Sequence, residues 1–305
     1  MIKLPASALL GDAMAESGLH DLSVAYSDSS IDPVAFTAAF HLYHMQPVAS
    51  AGHSLAPPLA LILGPSSFVL GLIWLVPGVV LSVLIGLLYL YIFALIILRI
   101  GAGMVGCQHA PPPALATRDL PEMSVIVAMY RESEVVAGLC AGLNRLDYPR
   151  DRLDILLVLE AGDRETISAA RAAARRYGFR VLIAPACGPQ TKPRALNYAL
   201  QFARGSLVTV YDAEDSPSRS QLRQAAAAFA ANDRLGVVQA PLGWYNAEDC
   251  WLTRQFALEY AAQFHGILPL LSRLSMPLPL GGTSNVFRVD ALEACGGWDP
   301  FNVTE

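Results

Sequence analysis

Residues 59–98, LALILGPSSFVLGLIWLVPGVVLSVLIGLLYLYIFALIIL, run for forty positions without one charged side chain. No wet face can be drawn on such a segment, so it belongs in a bilayer rather than on a soluble core. As a single helix it would be roughly 60 Å long, about twice the ~30 Å hydrocarbon thickness. Pro77-Gly78 divides it, and two spans are expected, 59–76 and 79–98. One tilted span over about 68–98 is the other arrangement. The block is too long and too far from the start to be a signal peptide. Arg99 follows at once and Arg118 soon after, with no Lys or Arg in the twenty residues before the block. The positive-inside rule then puts the following domain on the cytoplasmic side; a multi-pass protein of a bacterial-type inner membrane is expected.

The flanks differ in texture. Residues 1–58 carry one Lys against five acids and show two weak helical stretches, one of them DPVAFTAAFHLYHM; no chemistry attaches to them. Residues 99–122 form a Pro-rich linker. From 123 onward short apolar runs alternate with helical ones. MSVIVAM (123–129), LDILLVLE (153–160), FRVLIA (179–184), SLVTVYD (206–212) and LGVVQA (235–240) read as strands. The stretches at 132–146, 164–178, 192–205 and 218–233 read as helices, with Gly178 as a C-cap and Pro193 near a helix start. This alternation predicts an α/β domain over 123–305, with a mostly parallel sheet and helices on both faces. Ligands of such sheets bind at the carboxyl ends of the strands.

Asp212, Glu214 and Asp215 crowd three acids into four positions at one such end, in a chain only 15% charged. Two carboxylates two residues apart on a turn can share Mg²⁺ or Mn²⁺, which such sites hold together with substrate phosphates. Lys192 stands at a predicted helix start, where free N–H groups and the helix dipole favour phosphate. There is no GxGxxG after the first strand, no P-loop and no HExxH. The five cysteines are scattered, which implies neither a zinc site nor a disulfide framework. A net charge of −5 argues against nucleic acid as a partner.

Taken in order, VIVAMYRESEVV, ILLVLEAGDRET, TKPRALNYAL, YDAEDSP, GGTSNVFR and GGWDPFNVTE resemble inverting family 2 glycosyltransferases of the membrane-embedded, cellulose-synthase-like or phage-adsorption-protein-like kind, with a GT-A (Rossmann-like) fold. The resemblance implies a transferase using a nucleotide-diphosphate sugar, UDP-linked, on a glycan acceptor. It implies that Tyr130, Arg131 and Glu160 line the nucleoside pocket; many relatives have Asp where this chain has Glu160. Lys192 would contact the diphosphate, Asp212 the nucleotide and the metal, and Glu214 the metal. Gly282, Thr283, Trp298 and Thr304 would lie on the acceptor side. Thr304 and Glu305 would begin a Thr-Glu-Asp element whose Asp is the expected base. That Asp and a Gln-x-x-Arg-Trp segment are not in the chain, so a truncated and catalytically incomplete enzyme is expected. The alternative is a non-catalytic inner-membrane receptor or assembly component that keeps the fold.

Overall fold

The computed structural model describes residues 32–52, 59–106 and 112–302. Two compact units divide them. The first takes residues up to His53, Pro111–Ala240 and Leu280 onward; the second takes Ser54–Ala110 and Pro241–Pro279.

β-branched and leucine-rich runs make the first unit's strands: β1 Met123–Met129, β2 Leu153–Glu160, β3 Arg180–Ala184, β4 Leu207–Tyr211, β5 Val237–Gln239 and β6 Asn285–Arg288. The sheet order is β3-β2-β1-β4-β6-β5. β1, β2, β3 and β4 are parallel, whereas β6 runs antiparallel to both β4 and β5. The expected fifth parallel strand is therefore separated from the others by a strand from GGTSNVFR. β1, β2 and β4 are largely buried on both faces, which is why they read as mainly apolar runs, whereas the edge strand β3 is only partly buried.

Side-chain parity sorts the core into two layers. Val125, Val127, Ile155, Leu157 and Leu159 face α4 Val136–Leu143, α5 Arg164–Tyr177 and α7 Gln221–Ala231. Ile126, Leu156, Val158 and Val210 face α6 Lys192–Leu200 and α10 Val289–Ala294. α5 starts on the side chain of Asp163, which accepts from Thr166 N, and ends at Gly178 in the left-handed region (φ 75°).

A helix from ahead of the apolar block completes the second layer. α1, Pro33–Met45, is capped by Asp32 and buries Ala35, Ala38, Ala39, Phe40 and Leu42. It packs on α6, whose residues Pro193–Leu200 are all buried. Residues 33–52 are thus part of the α/β unit.

In the second unit, α2 Leu59–Leu75 and α3 Pro77–Gly106 form an apolar pair broken at Val76. Among the described residues, only Pro77–Met104 is both long and apolar enough to cross a membrane, against the two expected spans. With 17 residues α2 is about 25 Å long, short of the ~30 Å core. The expected linker begins later than 99, because α3 continues to Gly106. The expected continuous domain over 123–305 is also interrupted: 241–279 leaves it and folds as α8 Trp251–Ala262, a π-turn Gln263–Ile267 and α9 Leu268–Arg273. Gly266 sits against Ala102 of α3, where a Cβ would come within 3.2 Å, and Arg99 pairs with Glu259.

Gly205 is fixed by a close approach. Its N–H donates to Ser124 Oγ at the start of β1, and a Cβ there would lie 2.5 Å from Ser124 N. Gly205→Ala should lower stability by about 1–3 kcal/mol through overpacking against rigid backbone, read as a fall in the chemical-denaturation midpoint at constant slope.

Candidate active site

The carboxyl ends of β1 and β4 deliver the site. The parallel register pairs Val127 with Tyr211, so the residues after Met129 and Tyr211 emerge on the same edge. α6 begins on that edge. Thr191 is its N-cap residue, yet its side chain caps nothing, because the hydroxyl donates to Pro300 O at 2.7 Å. Pro193 lacks an N–H, and the start of the helix has no side-chain cap. Lys192 reaches from this end to Asp212, Nζ to Oδ1 at 2.5 Å, and lies 3.3 Å from Gly282 O.

The three acids after β4 have separate environments. Asp212 is partly open and held by Lys192. Glu214 is exposed. Asp215 turns inward, accepting from Asp212 N at 2.8 Å and from the Thr283 hydroxyl. Burial pushes its carboxyl above the usual carboxylate range, partly offset by those two donors. Asp215 and Thr283 therefore brace the loop, and Thr283, expected on the acceptor side, is buried in that brace. Gly282 is brought to the site through its carbonyl oxygen.

Tyr130 and Arg131 behave as a unit. Tyr130 is exposed and the Arg131 guanidinium lies 5.0 Å from its ring centroid. Arg131 adopts φ 59°, an uncommon conformation for a side-chain-bearing residue. Two groups from the start of α5 hold it: Asp163 Oδ2 accepts from Arg131 N at 2.5 Å, and Thr166 Oγ1 from Glu132 N at 3.1 Å. Sequence reasoning passed over Asp163 and Thr166, although an Asp just before a helix is a cap signal. It also passed over Glu132. Burial raises the pKa of Glu132, and the nearby Glu214 carboxylate raises it further. Glu132 thus belongs to the same electrostatic cluster as Asp212, Glu214 and Lys192.

Two expected site residues are committed elsewhere. Glu160 shares the parity of Leu156 and Val158, so it points toward α6, where Arg194 binds both its oxygens. Arg194 and Glu160 are both almost fully buried, and a second guanidinium nitrogen donates to Pro185 O at 2.6 Å. This pair is a core contact, against the expectation that Glu160 lines the nucleoside pocket. Trp298 is also buried, edge-on to Phe287 at 5.8 Å, and offers no open ring for a sugar. Thr304 and Glu305 lie outside the described residues. A cavity of about 590 Å³, lined by Arg150, Arg152, Arg176, Arg180 and Arg204 among others, opens at the amino ends of β1 and β2, away from the carboxylates.

Among the described residues no three His, Cys, Asp or Glu side chains converge as a self-contained metal cage. Asp212 with Glu214 is a two-carboxylate donor set, which fits Mg²⁺ or Mn²⁺ when substrate oxygens complete the coordination.

Removing one member of a buried ion pair strands the other. Arg194→Met alone should lower stability by about 3–5 kcal/mol, and Arg194→Met with Glu160→Gln by clearly less, in a double-mutant cycle by denaturant unfolding. Glu214→Gln should bring the Glu132 carboxyl down toward its ordinary range, followed by carbon-detected NMR titration in metal-free buffer.

The family model described as Glycosyltransferase like family 2 matches residues 121–305. Curated relatives include a probable glycosyltransferase, YdaM, of Bacillus subtilis, 26% identical over 189 residues, which are 60% of this chain and 44% of that protein. A beta-monoglucosyldiacylglycerol synthase of Trichormus variabilis is 27% identical, over 61% of this chain and 40% of its own length. The chain thus spans about two fifths of the curated relatives it matches. Among solved structures, a mannosyltransferase of Pyrobaculum calidifontis in complex with GDP-Man and Mn²⁺ superposes with a TM-score of 0.47 at 23% identity, over 72% of this chain and 64% of that one. With a family match over more than half its length, this chain belongs to glycosyltransferase family 2.

Proposed function

We propose that this chain transfers a hexose from a UDP-linked nucleotide sugar to a glycan acceptor, with inversion, using Mg²⁺ or Mn²⁺ at Asp212 and Glu214. The observation that carries the reading is the meeting of Lys192, at the uncapped start of α6, with Asp212 at the end of β4. A diphosphate laid across that gap would meet an ammonium group, helix N–H groups and a positive helix end together. The divalent cation supplies the remaining neutralisation of the leaving diphosphate. The acceptor hydroxyl oxygen would form its bond to the anomeric carbon from the opposite face and give its proton to a general base. Meanwhile the anomeric carbon–oxygen bond to the diphosphate breaks, the electron pair leaves with the diphosphate, and Lys192 holds the charge that develops. Tyr130, backed by the Arg131 guanidinium, offers a flat surface for the base ring. Asp163 and Thr166 keep that surface in place through the backbone of Arg131 and Glu132.

The second part of the proposal is anchoring to a lipid bilayer through α2 and α3. Residues 33–52 pack within the same compact unit as 112–240, so both belong on one side of a membrane. The segment between them must then cross an even number of times, which supports two spans over one. α3 has ample length, and the 17 residues of α2 sit at the lower limit of a span. Arg99 and Arg118 favour the cytoplasmic side.

UDP titrated into the chain should bind more tightly with Mn²⁺ than without it. Asp212→Ala should weaken the Mn²⁺-dependent part by roughly tenfold or more, the worth of one charge-assisted contact. UDP binding that is the same with and without Mn²⁺, in both proteins, would overturn the site. For the anchor, single cysteines at Gln46 and Arg118 in a cysteine-free background should be labelled by an impermeant reagent from the same side of sealed vesicles. Labelling from opposite sides would rule out two crossings.

A further inference from the structure

The loop from Gly296 to Phe301 is held from both ends of the N-terminal segment, and its grip continues to the residue before Lys192. Asn197, on the outer side of α6, donates to Ala38 O at 3.2 Å and to Trp298 O at 2.7 Å, and accepts from Trp298 N at 2.9 Å. One buried amide therefore joins α1, α6 and the loop. Asp299 accepts from Ser50 Oγ at 3.1 Å and from Ala51 N at 2.5 Å, while also closing on its own Phe301 N. The Phe301 ring lies 5.0 Å from that of Tyr43. Gly296 and Gly297 both adopt positive φ (88° and 80°). A Cβ on the first would meet Leu42 at 2.6 Å, and one on the second would meet Asn197 Oδ1 at 2.6 Å. The loop is thus fitted to the segment that covers it. At its far end, Pro300 O takes the Thr191 hydroxyl, which is why Thr191 does not cap α6.

We infer that residues 33–52 form a strap that holds the 296–301 loop and, through the Thr191–Pro300 contact, fixes Lys192 for the donor diphosphate, with Asp299 and Thr191 as positioning residues. The inference rests on the reading of Lys192 and Asp212 as a diphosphate site. It gives a segment that precedes the apolar helices an indirect part in donor binding, although none of its atoms need touch the donor. The strap sets the loop, the loop takes the Thr191 hydroxyl, and the helix start carrying Lys192 follows.

The test compares UDP with uridine, in the presence of Mn²⁺, on the full chain. Uridine lacks the phosphates and reports on the nucleoside surface alone. Asp299→Ala and Thr191→Ala should each weaken UDP by about tenfold and leave uridine unchanged. Asp299→Asn, which keeps an acceptor for Ser50 and Phe301, should stay within about threefold of the parent. Thermal melts of each variant accompany the titrations. UDP affinity unchanged in either alanine variant would overturn the strap's role. So would a parallel loss of UDP and uridine with a lowered melting temperature, the sign of general destabilisation. If the parent chain binds no UDP, the diphosphate site itself fails and the strap's role with it, a result read from the parent alone.

Discussion

The burial of α6 is the constraint on which one whole side of the molecule depends. A helix laid on a sheet hides only the stripe that faces the strands. In α6, every residue from Pro193 to Leu200 is hidden, including Arg194 and Asn197. Polar groups in such a place require partners on both sides. Arg194 finds Glu160 on the sheet side, and Asn197 finds Ala38 and Trp298 on the outer side. The small residues Ala35, Ala38 and Ala39 let α1 approach closely enough for that backbone contact. Without α1 the outer half of α6 would face water with an apolar surface, and Asn197 would lose its hydrogen bond to Ala38 O.

That packing also governs the electrostatics of the site. Glu132, Asp212 and Glu214 interact closely enough to raise the pKa of Glu132, and such repulsion needs an opposing charge. Lys192 supplies it, and Lys192 is the one residue of α6 that is not fully buried. The fourth acid, Asp215, is withdrawn to hydrogen bonds from Asp212 N and Thr283. The result is an edge with three carboxylates, those of Glu132, Asp212 and Glu214, and the Lys192 ammonium among them, rather than a symmetrical acidic cluster.

The parallel part of the fold was legible because its signals are local. β1 and β2 begin and end where their apolar runs do, and α5 runs from its Asp cap to its Gly stop. What was not legible depends on distance. β6 is four residues long and follows two glycines, so nothing nearby marks it as a strand; its partners β4 and β5 do that. Glu160 stood at a strand end, the right place for a ligand group. Only the pairing of parity with Arg194, 34 positions later, turned it into a core residue. α1 was visible as a helix, but its alanine face reads as weak amphipathicity, and its partners lie beyond the apolar block. Among the expected site residues, Lys192 and Asp212 form an ion pair, whereas Asp163, Thr166 and Glu132 emerged only from hydrogen bonds and charge proximity.

Chain connectivity explains why the division into units does not follow the sequence. The α/β unit is left twice, between His53 and Pro111 and between Ala240 and Leu280, and both excursions contribute to the second unit. Each excursion starts and ends in ordered structure of the first. The Ser50–Asp299 contact lies at one boundary, and the hydrogen bond from Gly281 N to Gln239 Oε1 closes the other. Closing a longer loop costs little more than closing a short one, about 0.6 kcal/mol per doubling. An apolar helix pair can therefore interrupt the fold between α1 and β1 without detaching α1, provided that its two ends return to the same side. The buried contacts of α1 supply that condition, so the same interactions that cover α6 also hold α1 on the α/β unit across the interruption.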